Sequence, residues 1–128
     1  MSNQTVTRAI ETDVQPELIY RKLIDVSLIP RWAPVFAEKV ELARGSSFRV
    51  TKGGDAFDME LVANEAGLTV DYVREMRGGR RGGAYLRVMP KPMGGSVVVM
   101  TVPIGPDATA EQVASVLEGE LEALIQLL

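Results

Sequence analysis

A chain of 128 residues, 46% of them apolar, has the size and content of one packed domain rather than a disordered polymer. Its net charge of −3 speaks against a general nucleic-acid binder. With neither Cys nor His, it excludes disulfide frameworks, thiolate nucleophiles and Ser-His arrangements, so any catalysis must use carboxylates, Tyr, Lys, Arg or bound water.

The polar start MSNQTVTRAIETDV lacks an apolar h-region, and no apolar run approaches bilayer-spanning length. A cytoplasmic protein without a membrane span is therefore expected. Residues 5–11 are rich in β-formers and read as a first strand. Asp13 and Pro16 supply helix-start chemistry, a side-chain acceptor and a fixed φ. Leu18, Ile19, Leu23 and Ile24 recur at helical spacing, which predicts a short amphipathic helix over 16–25. Residues 27–36 hold the only Trp, Trp32, between Pro30 and Pro34. Those prolines forbid a long helix and permit one turn.

From 37 to 104 the pattern is strands and turns. Val40 and Leu42, then Phe48 and Val50, then Phe57, Met59 and Leu61 alternate with polar residues. Leu68, Val70, Tyr72, Arg74 and Met76 share one face, with Asp71 and Glu75 on the other. GGRRGG at 78–83 reads as a hairpin turn. Residues 84–89 and 97–104 complete six strands of an antiparallel meander, one face buried and one wet. Then the period changes. Thr109 and Gln112 fit a capping box, and Val113, Val116, Leu117, Leu121, Leu124 and Leu128 form one stripe. A helix over 110–128 would be about 28 Å long. It is the only element long enough to cover the sheet, and a straight rod does not fill a curved trough, so a ligand cavity between them is expected.

The stretch IETDVQPELIYRKLIDVSLIPRWAPVFAEKVE and the capped C-terminal helix resemble the START-like superfamily, the Bet v 1-like and polyketide cyclase/dehydrase (SRPBCC) proteins. Ile19-Tyr20 matches an aliphatic–aromatic pair, Asp25 an acidic helix end, and Trp32 with Pro34 a W-x-P-like segment before the second strand. The resemblance covers nearly the whole chain. It implies one α+β domain over 1–128 with a helix-grip fold. In that fold a curved seven-stranded antiparallel sheet surrounds the long C-terminal helix, and two short helices follow the first strand. It also implies that residues 29–36 lie across one end of the cavity, with Trp32 as plug or wall. Lipid and hormone carriers and aromatase/cyclases belong to this superfamily.

Twelve residues are expected to line the cavity: Trp32, Phe48, Phe57, Met59, Tyr72, Arg74, Met76, Leu86, Val99, Leu117, Gly119 and Leu121. Arg74 and Tyr72 are the catalytic candidates. An inward Arg needs a partner, so Arg74 either binds a ligand carboxylate or enolate, with Tyr72 donating a hydrogen bond, or leaves the strand end for solvent. Glu120 beside the stripe is read as solvent-facing, and Gly119 as either room for an approaching group or a surface position. Five of the six methionines, Met59, Met76, Met89, Met93 and Met100, suit a cavity wall or ordinary packing. The bases at 74–91 (Arg74, Arg77, Arg80, Arg81, Arg87, Lys91) face a C-terminal part with acids only, a balance a solvated hairpin tip explains. No metal site and no cofactor are expected. The partner expected is a small hydrophobic molecule, with a homodimer left open. Three readings remain: a ligand-binding protein, a cyclase- or dehydrase-type enzyme, and a protein–protein module with a filled core.

Overall fold

The computed structural model describes residues 4–128; residues 1–3 of the expected domain lie outside the described part. Strand β1 (Gln4–Thr12) leads into α1 (Pro16–Ile24), a 3-10 turn (Val26–Leu28) and the single-turn α2 (Ile29–Trp32). Strands β2 (Lys39–Leu42), β3 (Ser47–Lys52), β4 (Asp55–Asn64), β5 (Thr69–Glu75), β6 (Arg81–Pro90) and β7 (Ser96–Ile104) follow, and α3 (Ala110–Gln126) ends the chain. All strand neighbours are antiparallel, in the order β1-β7-β6-β5-β4-β3-β2. The seven-stranded sheet, the two short helices and the terminal rod are the helix-grip arrangement.

Alternation built the sheet. Ser96, Val98 and Met100 of β7 are buried, with Val97 and Val99 half-buried between them. Across the ladder Met100 pairs with Leu86, and Leu86 with Val70. These inward side chains form the core together with Phe48 and Val50 of β3 and Ile19 and Leu23 of α1. The buried Ser96 hydroxyl donates to the Val14 carbonyl at 2.6 Å, tying the approach to α1 onto β7.

The capping box of α3 is present: Gln112 N donates to Thr109 Oγ1 at 3.2 Å, and Thr109 N to Gln112 Oε1 at 3.4 Å. The helix presses Ala114, Leu117, Leu121 and Leu124 inward, runs along β1, and meets α2 near its start. Arg8 Nε reaches Glu118 Oε2 at 2.9 Å. Both groups are exposed, so this pair contributes at most about 1 kcal/mol.

Several local expectations need correction. Asp13 does not cap α1; Gln15 holds the N-cap position without a side-chain bond, and Pro16 alone pre-sets the first turn. Asp25 ends α1, yet its carboxylate serves the next turn, accepting from Ser27 N at 3.2 Å and Ser27 Oγ at 2.5 Å. GGRRGG is only partly a turn. The chain reverses over Arg77–Gly79, and Gly82 and Gly83 already pair in β6, opposite Arg74 and Val73. Leu68 and Met76 fall outside β5. Leu68 takes φ 53° in the preceding turn.

Candidate functional site

The sheet and α3 diverge at the end where β7 runs out and β5 and β6 turn, and a cavity of about 480 Å³ lies there. Its floor takes one inward residue from each of four adjacent strands: Met59 of β4, Tyr72 of β5, Ala84 of β6 and Met100 of β7. Val113, Val116, Leu117 and Glu120 of α3 roof it. They recur at i, i+3, i+4 and i+7, one helix face. Ile29, Trp32 and Ala33 close one end. Val35 and Met76, 62% and 54% exposed, stand at the open side.

The end wall is held by local hydrogen bonds rather than a ladder. Ala33 N donates to Ile29 O at 2.7 Å, and Phe36 N and Ala37 N both donate to Ala33 O at 3.0 Å. Pro34 lends its carbonyl to Lys52 Nζ at 3.3 Å. The segment therefore stays ordered while presenting the indole. Trp32 is buried, with its ring 6.1 Å from that of Tyr72 and tilted 45°. Its Nε1–H is buried without a hydrogen-bond partner. Such a donor ordinarily finds an acceptor, and leaving it unmet costs about 1–3 kcal/mol.

Of the twelve residues expected to line the cavity, the structure brings Trp32, Met59, Tyr72, Arg74, Met76 and Leu117 to it. Phe48, Leu86 and Leu121 lie in the buried core instead. They share the inward face, but Phe48 is covered by the Tyr72 ring, edge-on at 6.3 Å, and Leu86 lies farther along β6, which α1 packs against. Val99 has the wrong parity: Val98 and Met100 are the buried neighbours. Gly119 is exposed, and a Cβ added there meets nothing within 4 Å, so it makes no room for ligand or sheet. Gly119→Ala is therefore expected to stabilise the protein by roughly 0.5–1 kcal/mol in urea denaturation, the ordinary helix-propensity gain. Phe57 supports the mouth from beside it: its ring carries the Arg74 guanidinium 4.0 Å from the centroid and meets Phe36 edge-on at 6.0 Å.

Tyr72 keeps its ring at the floor, but its hydroxyl is committed. The O–H donates to the Leu23 carbonyl of α1 at 2.5 Å, and burial pushes the phenol far above its usual range. The hydrogen bond to a ligand that one of the two readings gave Tyr72 therefore has no donor. Arg74 resolves its two alternatives in an intermediate way. The strand end carries it to the exposed rim, yet it lines the cavity, and among the described residues it makes no ion pair.

Glu120 corrects the reading that placed it in solvent. It lines the cavity half-buried, and desolvation pushes its carboxyl up to about 7. The signal was in its spacing, four residues after Val116 and three after Leu117. Gly82 and Gly83 also line the wall, which their reading as turn residues concealed. Among the described residues, Gln112 joins Arg74 and Glu120 as the polar side chains at the cavity; the rest of its lining is apolar apart from the buried Trp32 indole and the committed Tyr72 hydroxyl. Among the described residues no three acidic side chains gather as a metal site, and no helix is long and apolar enough to cross a membrane.

The profile of the family described as polyketide cyclase/dehydrase and lipid transport matches residues 3–128. No curated protein matches the sequence. Among solved structures, protein MLL2253 of Mesorhizobium loti superposes with a TM-score of 0.72 at 22% identity, over 97% of this chain and 96% of that one. The ZhuI aromatase/cyclase of a Streptomyces species gives 0.67 at 17% identity, over 98% and 93%. A START superfamily protein from Mycobacterium smegmatis gives 0.68 at 15%, over 98% and 93%. At such identities these likenesses speak for the fold.

Proposed function

The chain belongs to the polyketide cyclase/dehydrase and lipid transport family, and from that premise we propose that its cavity binds one small, largely apolar molecule of lipid-, aromatic- or polyketide-like character. The observation that carries this reading is the apolar cavity of about 480 Å³ between the sheet and α3, in a chain whose remaining inward side chains pack closely. That volume falls within the usual range for small-molecule sites. A molecule filling it sheds apolar surface from water and gives the walls dispersion contacts. The relative named an aromatase/cyclase supports the polyketide-like part of the range.

Trp32, the only Trp in the sequence, reports on its own cavity. Titration with decanol is expected to quench or shift its emission in a saturable way. Ala84→Phe grows a ring from the floor into the cavity and is expected to weaken that binding at least roughly tenfold, about 1.4 kcal/mol, while the protein stays folded. Undiminished binding to a folded Ala84→Phe variant would place the ligand elsewhere.

Glu120 favours a second reading. A carboxyl titrating near 7 in an apolar cavity is poised to give and take protons at neutral pH. On this reading the family's cyclase chemistry operates here: Glu120 moves the proton at a ketone ligand, and the Arg74 cation offsets enolate charge. Turnover of a poly-ketone substrate that is lost in a folded Glu120→Gln variant would support it.

A further inference from the structure

Among the described residues, Arg74 is the one cation in the cavity lining. Its guanidinium carbon stands over the Phe57 ring, 4.0 Å from the centroid. Phe57 is itself braced edge-on by Phe36, so the cation is positioned by an aromatic shelf rather than by an acid. On its far side Arg74 adjoins a cleft that includes Asp58, Glu60, Glu75 and Arg81. None of these acids comes within ion-pair distance of it, and Asp58 is taken by Arg49 at 2.9 Å. A cation–π contact does not consume the N–H donors, and among the described residues no acid pairs with them, so they keep the fork that fits two oxygens of one anion.

We infer that the cavity selects amphipathic ligands ending in a carboxylate, with the apolar body inside and the carboxylate received by Arg74 at the mouth. This rests on the proposed binding of an apolar molecule and adds its polarity. The charge balance of the lining favours a monoanion. Arg74 supplies one positive charge, and among the described residues Glu120 on α3 is the only acid in the lining, so a dianionic phosphate would gain one cation and face a carboxylate. Placing the anion at the exposed rim also spares it full desolvation, which an anion sunk among Met59, Met100 and Leu117 would suffer.

The test compares decanoate with decanol, equal in chain length and differing in the end group, by Trp32 fluorescence and calorimetric titration at about pH 6, where decanoate is ionised and Glu120 is mostly protonated. The expected result is that wild-type protein prefers decanoate by roughly tenfold or more. Arg74→Gln should bring acid and alcohol to similar affinities, and Arg74→Lys, which keeps the charge and loses the fork, should fall between. Thermal melts confirm that each variant is folded, as the exposed position of Arg74 leads one to expect. Equal binding of acid and alcohol by the wild type, or a preference that survives in Arg74→Gln, overturns the carboxylate proposal and leaves the apolar cavity reading standing. Binding of neither molecule overturns both.

Discussion

Gly83→Ala is expected to destabilise the protein by about 1–3 kcal/mol, the range of an overpacked site that only a backbone shift can relieve. An alanine Cβ at 83 would stand 2.1 Å from the Tyr72 carbonyl oxygen and 3.1 Å from the Val73 Cα, both backbone atoms of β5. No rotamer relieves that contact, so β5 and β6 must move apart where Val73 pairs with Gly83. Backbone strain is not the cause, because Gly83 is not among the positive-φ glycines; what the position excludes is volume. Its neighbour provides the control. A Cβ at Gly82 meets the Met76 Sδ at 2.8 Å, the far part of a flexible side chain that can swing aside, so Gly82→Ala is expected to cost far less. Urea denaturation of both variants makes the comparison. Equal stabilities would mean that the strands do not approach as closely as described. Because the displaced carbonyl belongs to Tyr72, ligand affinity is expected to fall with stability in Gly83→Ala.

Glu120 should make the protein less stable as pH rises toward neutrality. Its carboxyl is raised from the ordinary 4.5 to about 7 because burial disfavours the charged form. The folded state therefore holds this proton more tightly than the unfolded chain does. The contribution is fully present below about 4.5, declines as pH rises between the two values, and is lost above about 7. At 1.36 kcal/mol per pH unit the loss is at most about 3 kcal/mol, and about half of that for a carboxylate that keeps some hydration. Glu120→Gln keeps the size and removes the charge. It is expected to be about 1–2 kcal/mol more stable than the wild type at about pH 8 and to show a flatter stability profile from about pH 5 to 8. Urea titrations across that range measure both. Parallel profiles for the two proteins would show that the carboxyl is solvated after all. A bound anion should add to the effect, since an ionised Glu120 opposes it across the cavity.

The fold was legible because its signals are local. Period-two alternation marked β2 to β7, with glycine turns between them. The change to helical period, with Thr109 and Gln112 at cap spacing, marked α3. Pro30 and Pro34 around Trp32 announced a short, rigid segment, and that segment closes the end of the cavity. The cavity itself was inferred from the mismatch between a curved sheet and a straight rod.

The remainder depends on relations between distant strands. Val99 and Met100 are neighbours in sequence, and only the register of β7 against β1 and β6 decides which of them faces the core. Phe48, Leu86 and Leu121 carry the same inward pattern as Met59 and Leu117. Depth along the sheet separates packed core from cavity wall, and depth has no periodicity. Gly83 reads as a turn residue until β5 is laid beside it, and Glu120 reads as a surface acid until α3 is rotated onto the sheet. Composition, alternation and caps act within a few residues and so survive in a one-dimensional reading, whereas volume, burial and charge environment arise among residues tens of positions apart and exist only once the chain has closed on itself.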